Sequence, residues 1–298
     1  MHLCHTLISH IRHTWLTIFL ILIFSVKIFA QLSAEDKLRQ QIAKETNDTI
    51  KVKLLIKLAT NYSIRNRYAI RGDSEQFVCL REARKLSKKT DFRYGLVWGQ
   101  YYDALRLYYN GSYDKSLASY KSCIAGLDSL GIIQSKNSPL GTINVLFTAM
   151  GKETEEFQYY SARAADYKRT GPKENLADCY FGIAGHYAYL GDYDKSIEYI
   201  LRARELYETF DPFGYATATG VVGYYYLLWG NLDKAQPYIE SGLREFKLMQ
   251  DSSIISFMYN ALGDLSLRRQ DYKTALLNYS YVKNYWSAID TAYISLIS

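Results

Sequence analysis

Six short turns recur along this 298-residue chain at a nearly constant interval. Gly72, Gly111, Gly151, Gly191, Gly230 and Gln270 follow one another at separations of 39, 40, 40, 39 and 40 residues. Each turn lies between two segments whose apolar and small residues return every three or four positions, the spacing of one face of a helix. Glycine supplies the left-handed backbone that ends a helix at little steric cost. A single helical hairpin cannot bury its own apolar face, so six in series must stack on one another as a solenoid. The pattern predicts an all-α fold.

The stretch from Tyr180 to Glu208 shows the unit most clearly. Its first helix interleaves Gly182, Ala184, Gly185 and Ala188 with Tyr180, Phe181, Ile183, Tyr187 and Leu190, a surface able to approach a partner helix closely. After Gly191, either Asp192 or Asp194 stands where an N-cap accepts an orphan backbone N–H. The second helix carries Ile197, Ile200, Leu201, Ala203 and Leu206 on one side and Lys195, Glu198, Arg202 and Glu205 on the other, as a half-solvated helix should. Pro139, Pro172 and Pro212 fall between hairpins, where they end one helix or begin the next. Pro237 is tolerable if its helix begins near Asp233. The sequence therefore divides into a leader at residues 1–30, a polar lead-in helix within 31–47, a solenoid over 48–290, and the start of an incomplete further repeat at 291–298.

The leader has the pattern of a secretory signal peptide: Arg12 among several His, an apolar run from Trp15 to Val26, and Ile28-Phe29-Ala30 ahead of Gln31. Its apolar core is shorter than the ~20 residues a membrane span needs. The expected location is the periplasmic or extracellular face of a bacterial membrane, the rival being a chain anchored by residues 15–29. Cleavage removes four of the five His and leaves His186, together with Cys79, Cys123 and Cys179. Three Cys at irregular spacing are no disulfide framework, and small buried thiols are expected. Residues 31–95 hold 15 Lys and Arg against 8 Asp and Glu, while residues 96–298 hold 19 against 22. The basic end suits an anionic surface or partner, although solvated helix faces explain most such excesses. An exported chain is not expected to meet nucleic acid.

The turn form Gly-Asp-Tyr-Asp-Lys-Ser, preceded by a small residue and an aromatic three positions on, resembles the tetratricopeptide repeat (TPR). In the fourth unit Tyr180, Ile183, Ala184, Tyr187, Gly191, Tyr193, Ser196, Ile200 and Ala203 occupy that family's signature places. Ala104 and Ser116 match in the second unit, Gly223 and Ala235 in the fifth, and Gly263 and Ala275 in the sixth. The third departs, with Asn144 and Glu156 at small-residue places and Arg163 later in its second helix. The resemblance implies a TPR-type right-handed α-solenoid of about six helix-turn-helix repeats. The usual repeat has 34 residues, so a period of about 40 implies longer helices or linkers.

Such arrays use the first helix of each repeat to line a concave groove that takes proteins or peptides. By the family's pattern the groove-facing places are Trp98, Tyr101, Tyr108 and Tyr109 in the second unit, and Asp178, Phe181 and Tyr189 in the fourth. Tyr224 and Leu227 follow in the fifth, and Asn260 and Asp264 in the sixth. Rings offer contact area with few torsions to freeze; the competing expectation is that they pack between helices. The Lys/Asn set with which some TPR domains clamp a terminal carboxylate is absent. No Gly-rich phosphate loop, His-Glu-x-x-His, Cys-x-x-Cys or Gly-x-Ser-x-Gly occurs, so no catalytic residue, cofactor or metal is expected. His186 is expected to be structural.

Beyond Trp286 the chain reads SAIDTAYISLIS, more apolar than the polar cap that ends most solenoids. The expectation is a truncated reading frame or a covering partner. An exported array opening with DTIKVKLLIKLA is similar to the extracytoplasmic TPR region of bacterial sensor histidine kinases. Membrane association is then expected only through an uncleaved N-terminal segment or a missing C-terminal span.

Overall fold

The computed structural model of the chain describes residues 34–65, 75–133, 139–249 and 252–297. The leader at residues 1–30 and the turn expected at Gly72 lie outside them. Everything regular among the described residues is α-helical. The lead-in helix α1 spans Ala34–Lys44, followed by α2 (Asp48–Arg65) and α3 (Glu75–Thr90) of the first unit. The second unit pairs α4 (Arg93–Tyr109) with α5 (Tyr113–Ser129). In the third, a split first helix, α6 (Pro139–Thr142) and α7 (Asn144–Met150), precedes α8 (Glu153–Thr170). The fourth pairs α9 (Lys173–Tyr189) with α10 (Tyr193–Tyr207), and the fifth α11 (Pro212–Trp229) with α12 (Leu232–Met249). The sixth pairs α13 (Ser252–Arg268) with α14 (Tyr272–Ile297). Residues 291–297, expected to open another repeat, prolong α14 with no turn between. Helices of 15 to 18 residues in the regular units account for the long period.

The turns after α4, α7, α9, α11 and α13 are built alike. Gly111, Gly151, Gly191 and Gly230 take φ of 72°, 63°, 75° and 88°, and Gln270 takes 62° in the same place. In each, the N–H one residue further on donates to the carbonyl five residues back at 2.9 Å, as from Asp192 to Tyr187 and from Asp271 to Ser266. The next helix starts two residues past the turn every time. Asp192 caps α10 by accepting from the Lys195 N–H at 3.2 Å, settling the choice between it and Asp194. Asn231 and Asp271 cap α12 and α14 in the same register, while Ser112 makes no such bond. Pro172 precedes α9, and Pro212 opens α11 beneath its cap Asp211. Pro237 sits inside α12, which begins at Leu232, so its missing N–H removes one helical hydrogen bond.

Within a unit the two helices cross where small residues stand twelve positions apart: Ala104 and Ser116, Ala184 and Ser196, Gly223 and Ala235, Gly263 and Ala275. All eight are buried. The Ser116 hydroxyl donates to the Ala104 carbonyl at 2.6 Å, and Ser196 to Ala184 at 2.9 Å. A Cβ on Gly223 would come within 2.9 Å of the Ala235 carbonyl oxygen, so backbone meets backbone there. In the third unit the same two places hold Asn144 and Glu156, both half-buried. Larger polar groups cannot let the helices close in, and this is where the first helix is short and interrupted at Ile143. A polar fastening compensates. Arg163, stacked on the Tyr167 ring, pairs with Asp128 of α5, which also accepts from the Tyr167 hydroxyl at 2.8 Å.

Neighbouring first helices also touch, α2 on α4, α6 on α9 and α11 on α13, as an inner layer backed by the outer layer of second helices. Buried Ile124, Leu127, Phe147, Tyr160, Ile200, Tyr207, Ile239 and Phe246 run along the chain between the layers. The architecture is a right-handed α-solenoid of TPR type.

Candidate functional site: the inner faces of the first helices

A first helix in such an array is held on two sides, by its own second helix and by the neighbouring first helices, so only a narrow strip of it stays open. Four of the expected groove residues fall outside that strip. Tyr101 is 2% exposed, wedged edge-on between Trp98 and Tyr120 with ring centroids 5.8 and 5.4 Å away. Trp98 is buried beside it. Asp178 is 1% exposed and accepts a hydrogen bond from the buried Tyr207 hydroxyl at 2.5 Å, tying α9 to α10. Leu227 is 1% exposed in the core between α11 and α13. Packing accounts for the burial of Tyr101, Asp178 and Leu227, and Trp98 lines a separate, open cavity.

The remaining residues keep access to solvent in three places. At the end of α4, Tyr108 and Tyr109 meet edge-on at 5.1 Å, and Tyr109 leans on Phe77 of α3 at 5.6 Å. On α9, Phe181 is half-buried while Tyr189 is 70% exposed beside the Gly191 turn. The third place joins two repeats. Tyr224 of α11 packs edge-on against Phe257 of α13 at 5.3 Å, and Phe257 remains 39% exposed. Asn260 and Asp264 follow Phe257 along α13 at helical spacing and are half-buried. Asp264 accepts from the Tyr279 hydroxyl at 2.5 Å, which helps burial push that phenol up to about 12. Burial raises the Tyr224 pKa, and the Asp264 carboxylate nearby adds to the rise. Tyr224, Asn260 and Asp264 are thus brought into one patch; Tyr108, Tyr109, Phe181 and Tyr189 belong to others.

Phe257 and Arg268 were not among the expected residues, although both lie on the α13 face that holds Asn260 and Asp264. Arg268 donates to the Leu227 carbonyl at 2.7 Å, linking α13 to α11 at the rim of the patch. The signal was the stripe 257, 260, 264, 268.

The three thiols are buried and His186 packs against an aromatic ring. Cys79, Cys123 and Cys179 are free and buried, and burial lifts every thiol above its ordinary value, Cys79 to about 11. His186 stacks on Phe157 with centroids 4.4 Å apart. Among the described residues no three His, Cys, Asp or Glu side chains gather as a metal site, and no helix is long and apolar enough to cross a membrane.

Residues 175–244 match the tetratricopeptide repeat family. Comparison with curated proteins gives no match. Among solved structures, the chain is similar to a Rap protein complexed with competence and sporulation factor, at 12% identity and a TM-score of 0.54, over 85% of this chain and 75% of that one. It is also similar to a signal transduction ATPase with numerous domains (STAND) from Pyrococcus horikoshii that has a tetratricopeptide repeat sensor. That match has 16% identity and a TM-score of 0.51, over 87% of this chain and 40% of that one. Identities this low speak for the fold alone. Residues 175–244 thus match tetratricopeptide repeats, and the described chain around them has the fold of a TPR-type α-solenoid.

Proposed function

We propose that this chain is a non-enzymatic scaffold, exported across a bacterial membrane, that holds a protein or peptide along the inner faces of α9, α11 and α13. The observation that carries this reading is the open patch of Tyr224, Phe257, Asn260 and Asp264 spanning two consecutive repeats. Two rings packed edge to face offer an apolar seat, and the amide and carboxylate beside them can bond the backbone of an extended segment. Tyr189 and Phe181 form a second accessible place on the preceding first helix. The Rap protein that shares the fold is complexed with competence and sporulation factor, which supports a ligand of this kind. Export rests on the leader at residues 1–30.

Selection of a random 12-residue peptide library displayed on phage against the chain tests the binding. The reading expects extended sequences whose affinity falls roughly tenfold or more in Phe257→Ala, the size of loss that truncating an interface aromatic brings. Selected peptides that bind the Phe257→Ala chain equally well would rule the patch out. Export is tested separately by N-terminal sequencing of the protein expressed in a bacterium with its leader; a mature start at Gln31 is expected, and Met1 or a chain kept in the cytoplasm would contradict it.

A second reading makes the chain the sensor region of a longer signalling protein, of the histidine kinase or regulator class. Its support is the fold shared with a protein that carries a tetratricopeptide repeat sensor. A membrane span and signalling domain encoded downstream of Ser298 would favour it, and unrelated sequence there would remove it.

A further inference from the structure

A cavity of about 620 Å³ lies between α2, the start of α4 and the end of α5, away from the patch of the fifth and sixth units. Its volume falls within the range of small-molecule sites. Phe92, Tyr94 and Trp98 give it an aromatic wall, and Lys53, Lys57 and Thr60 on three successive turn-spaced positions of α2 stand across from them. Phe92 and Tyr94 are in ring contact at 5.9 Å, and Tyr94 and Trp98 at 6.4 Å.

Two features mark this as more than a packing gap. Lys53 and Lys57 are exposed and pair with no carboxylate among the described residues, whereas Lys51 and Lys89 close by pair with Glu82 and Asp48. The Lys53 ammonium stands 6.0 Å from the Phe92 ring centroid, so its charge is held at the mouth. Second, Trp98 is 94% buried, and its indole nitrogen reaches no acceptor in hydrogen-bonding geometry. A buried N–H left without an acceptor costs free energy that a bound acceptor would return. Trp98 itself lines the cavity beside Tyr94.

We propose that this cavity binds a small organic anion with an aromatic body, an aryl carboxylate or sulfonate. Its rings lie against Phe92 and Tyr94, and its anionic oxygens sit between Lys53 and Lys57 within reach of the Trp98 N–H. The site joins the first unit to the second, so an occupant fastens α2 to α4. It is independent of peptide binding in the later repeats.

The probe is 8-anilinonaphthalene-1-sulfonate, titrated into the whole chain and followed both by its own emission and by energy transfer from tryptophan. The expected result is saturable binding at one site, with affinity weakened roughly tenfold in Lys53→Gln/Lys57→Gln, as loss of charged hydrogen bonds entails, and weakened also by salt. The uncharged analogue N-phenyl-1-naphthylamine should bind wild type and that variant within about twofold of each other, since the rings and not the lysines hold it. Trp98→Phe should abolish most of the energy transfer. Equal sulfonate affinity in wild type and in the lysine variant overturns the proposal. So does transfer that survives Trp98→Phe, which would put the dye elsewhere, such as on exposed Leu276 and Leu277 of α14. Both lysines are exposed, so their replacement leaves the fold intact and the first comparison always readable.

Discussion

At the scale of single residues, the turns decide the most. A left-handed conformation costs an ordinary L-residue about 1–2 kcal/mol, and Gln270 carries that cost where four glycines do not. Gln270→Gly is expected to stabilise the protein by about 1 kcal/mol in urea unfolding, and Gly191→Ala to destabilise it by a similar amount. Equal midpoints for the two variants would contradict the assignment. The buried bond between Tyr207 and Asp178 is a second point of leverage. Tyr207→Phe leaves a buried carboxylate short of a donor and should cost about 1–3 kcal/mol, a loss that a solvent-facing Asp178 would not produce. The caps add a pH dependence. The Lys195 side chain and backbone N–H hold the Asp192 pKa below its ordinary value, and Thr274 does the same for Asp271. A carboxylate with a depressed folded pKa contributes its stability in full above its unfolded value near 3.8 and loses it as pH falls through the lower folded value. Thermal melts from pH 6 down to pH 2.5 should therefore fall more steeply for wild type than for Asp192→Asn/Asp271→Asn. Parallel curves would count against the caps.

At the scale of elements, the third unit is the weak link. Its first helix comes in pieces of 4 and 7 residues, below the length at which a helix holds itself together. The crossing beside it is occupied by Asn144 and Glu156 in place of small residues. Native-state hydrogen exchange should find the amides of α7 opening at least tenfold faster than those of α10 and α12; equal protection would mean that the Arg163–Asp128–Tyr167 fastening fully makes up for the crossing. This weakness was readable from Asn144 and Glu156 alone, because the spacing of the turns fixed which residues must meet. What faces solvent was harder to read. α11 has no charged residue along its length, so periodicity ranks none of its faces, and only the neighbouring helices distinguish buried Leu227 from half-buried Tyr224. Trp98, Tyr101 and Asp178 are buried; for the two rings, packing between helices was the competing expectation. The family's pattern marks a helix face, but only the stacking of α4 on α2 and of α9 on its neighbours decides how much of it is covered. Phe257 stands at helical spacing from Asn260 and Asp264 and so shares their face.

At the scale of the whole molecule, the period of 39 to 40 residues makes the fold a series of related units with an inner and an outer layer. Large aromatic residues, 29 Tyr among them, fill the gaps between long helices, and those left over on the inner layer supply the open patch. The chain thus offers two places of different chemistry. One is the cationic, aromatic cavity at its basic beginning, and the other is the Tyr224–Phe257 patch near its end. The inner layer is the proposed binding surface. The most direct measurement is hydrogen exchange by mass spectrometry on the whole chain, with and without a peptide selected for binding. The account predicts added protection on α9, α11 and α13, with α10 and α12 unchanged; protection confined to the outer helices α10, α12 or α14 would contradict it.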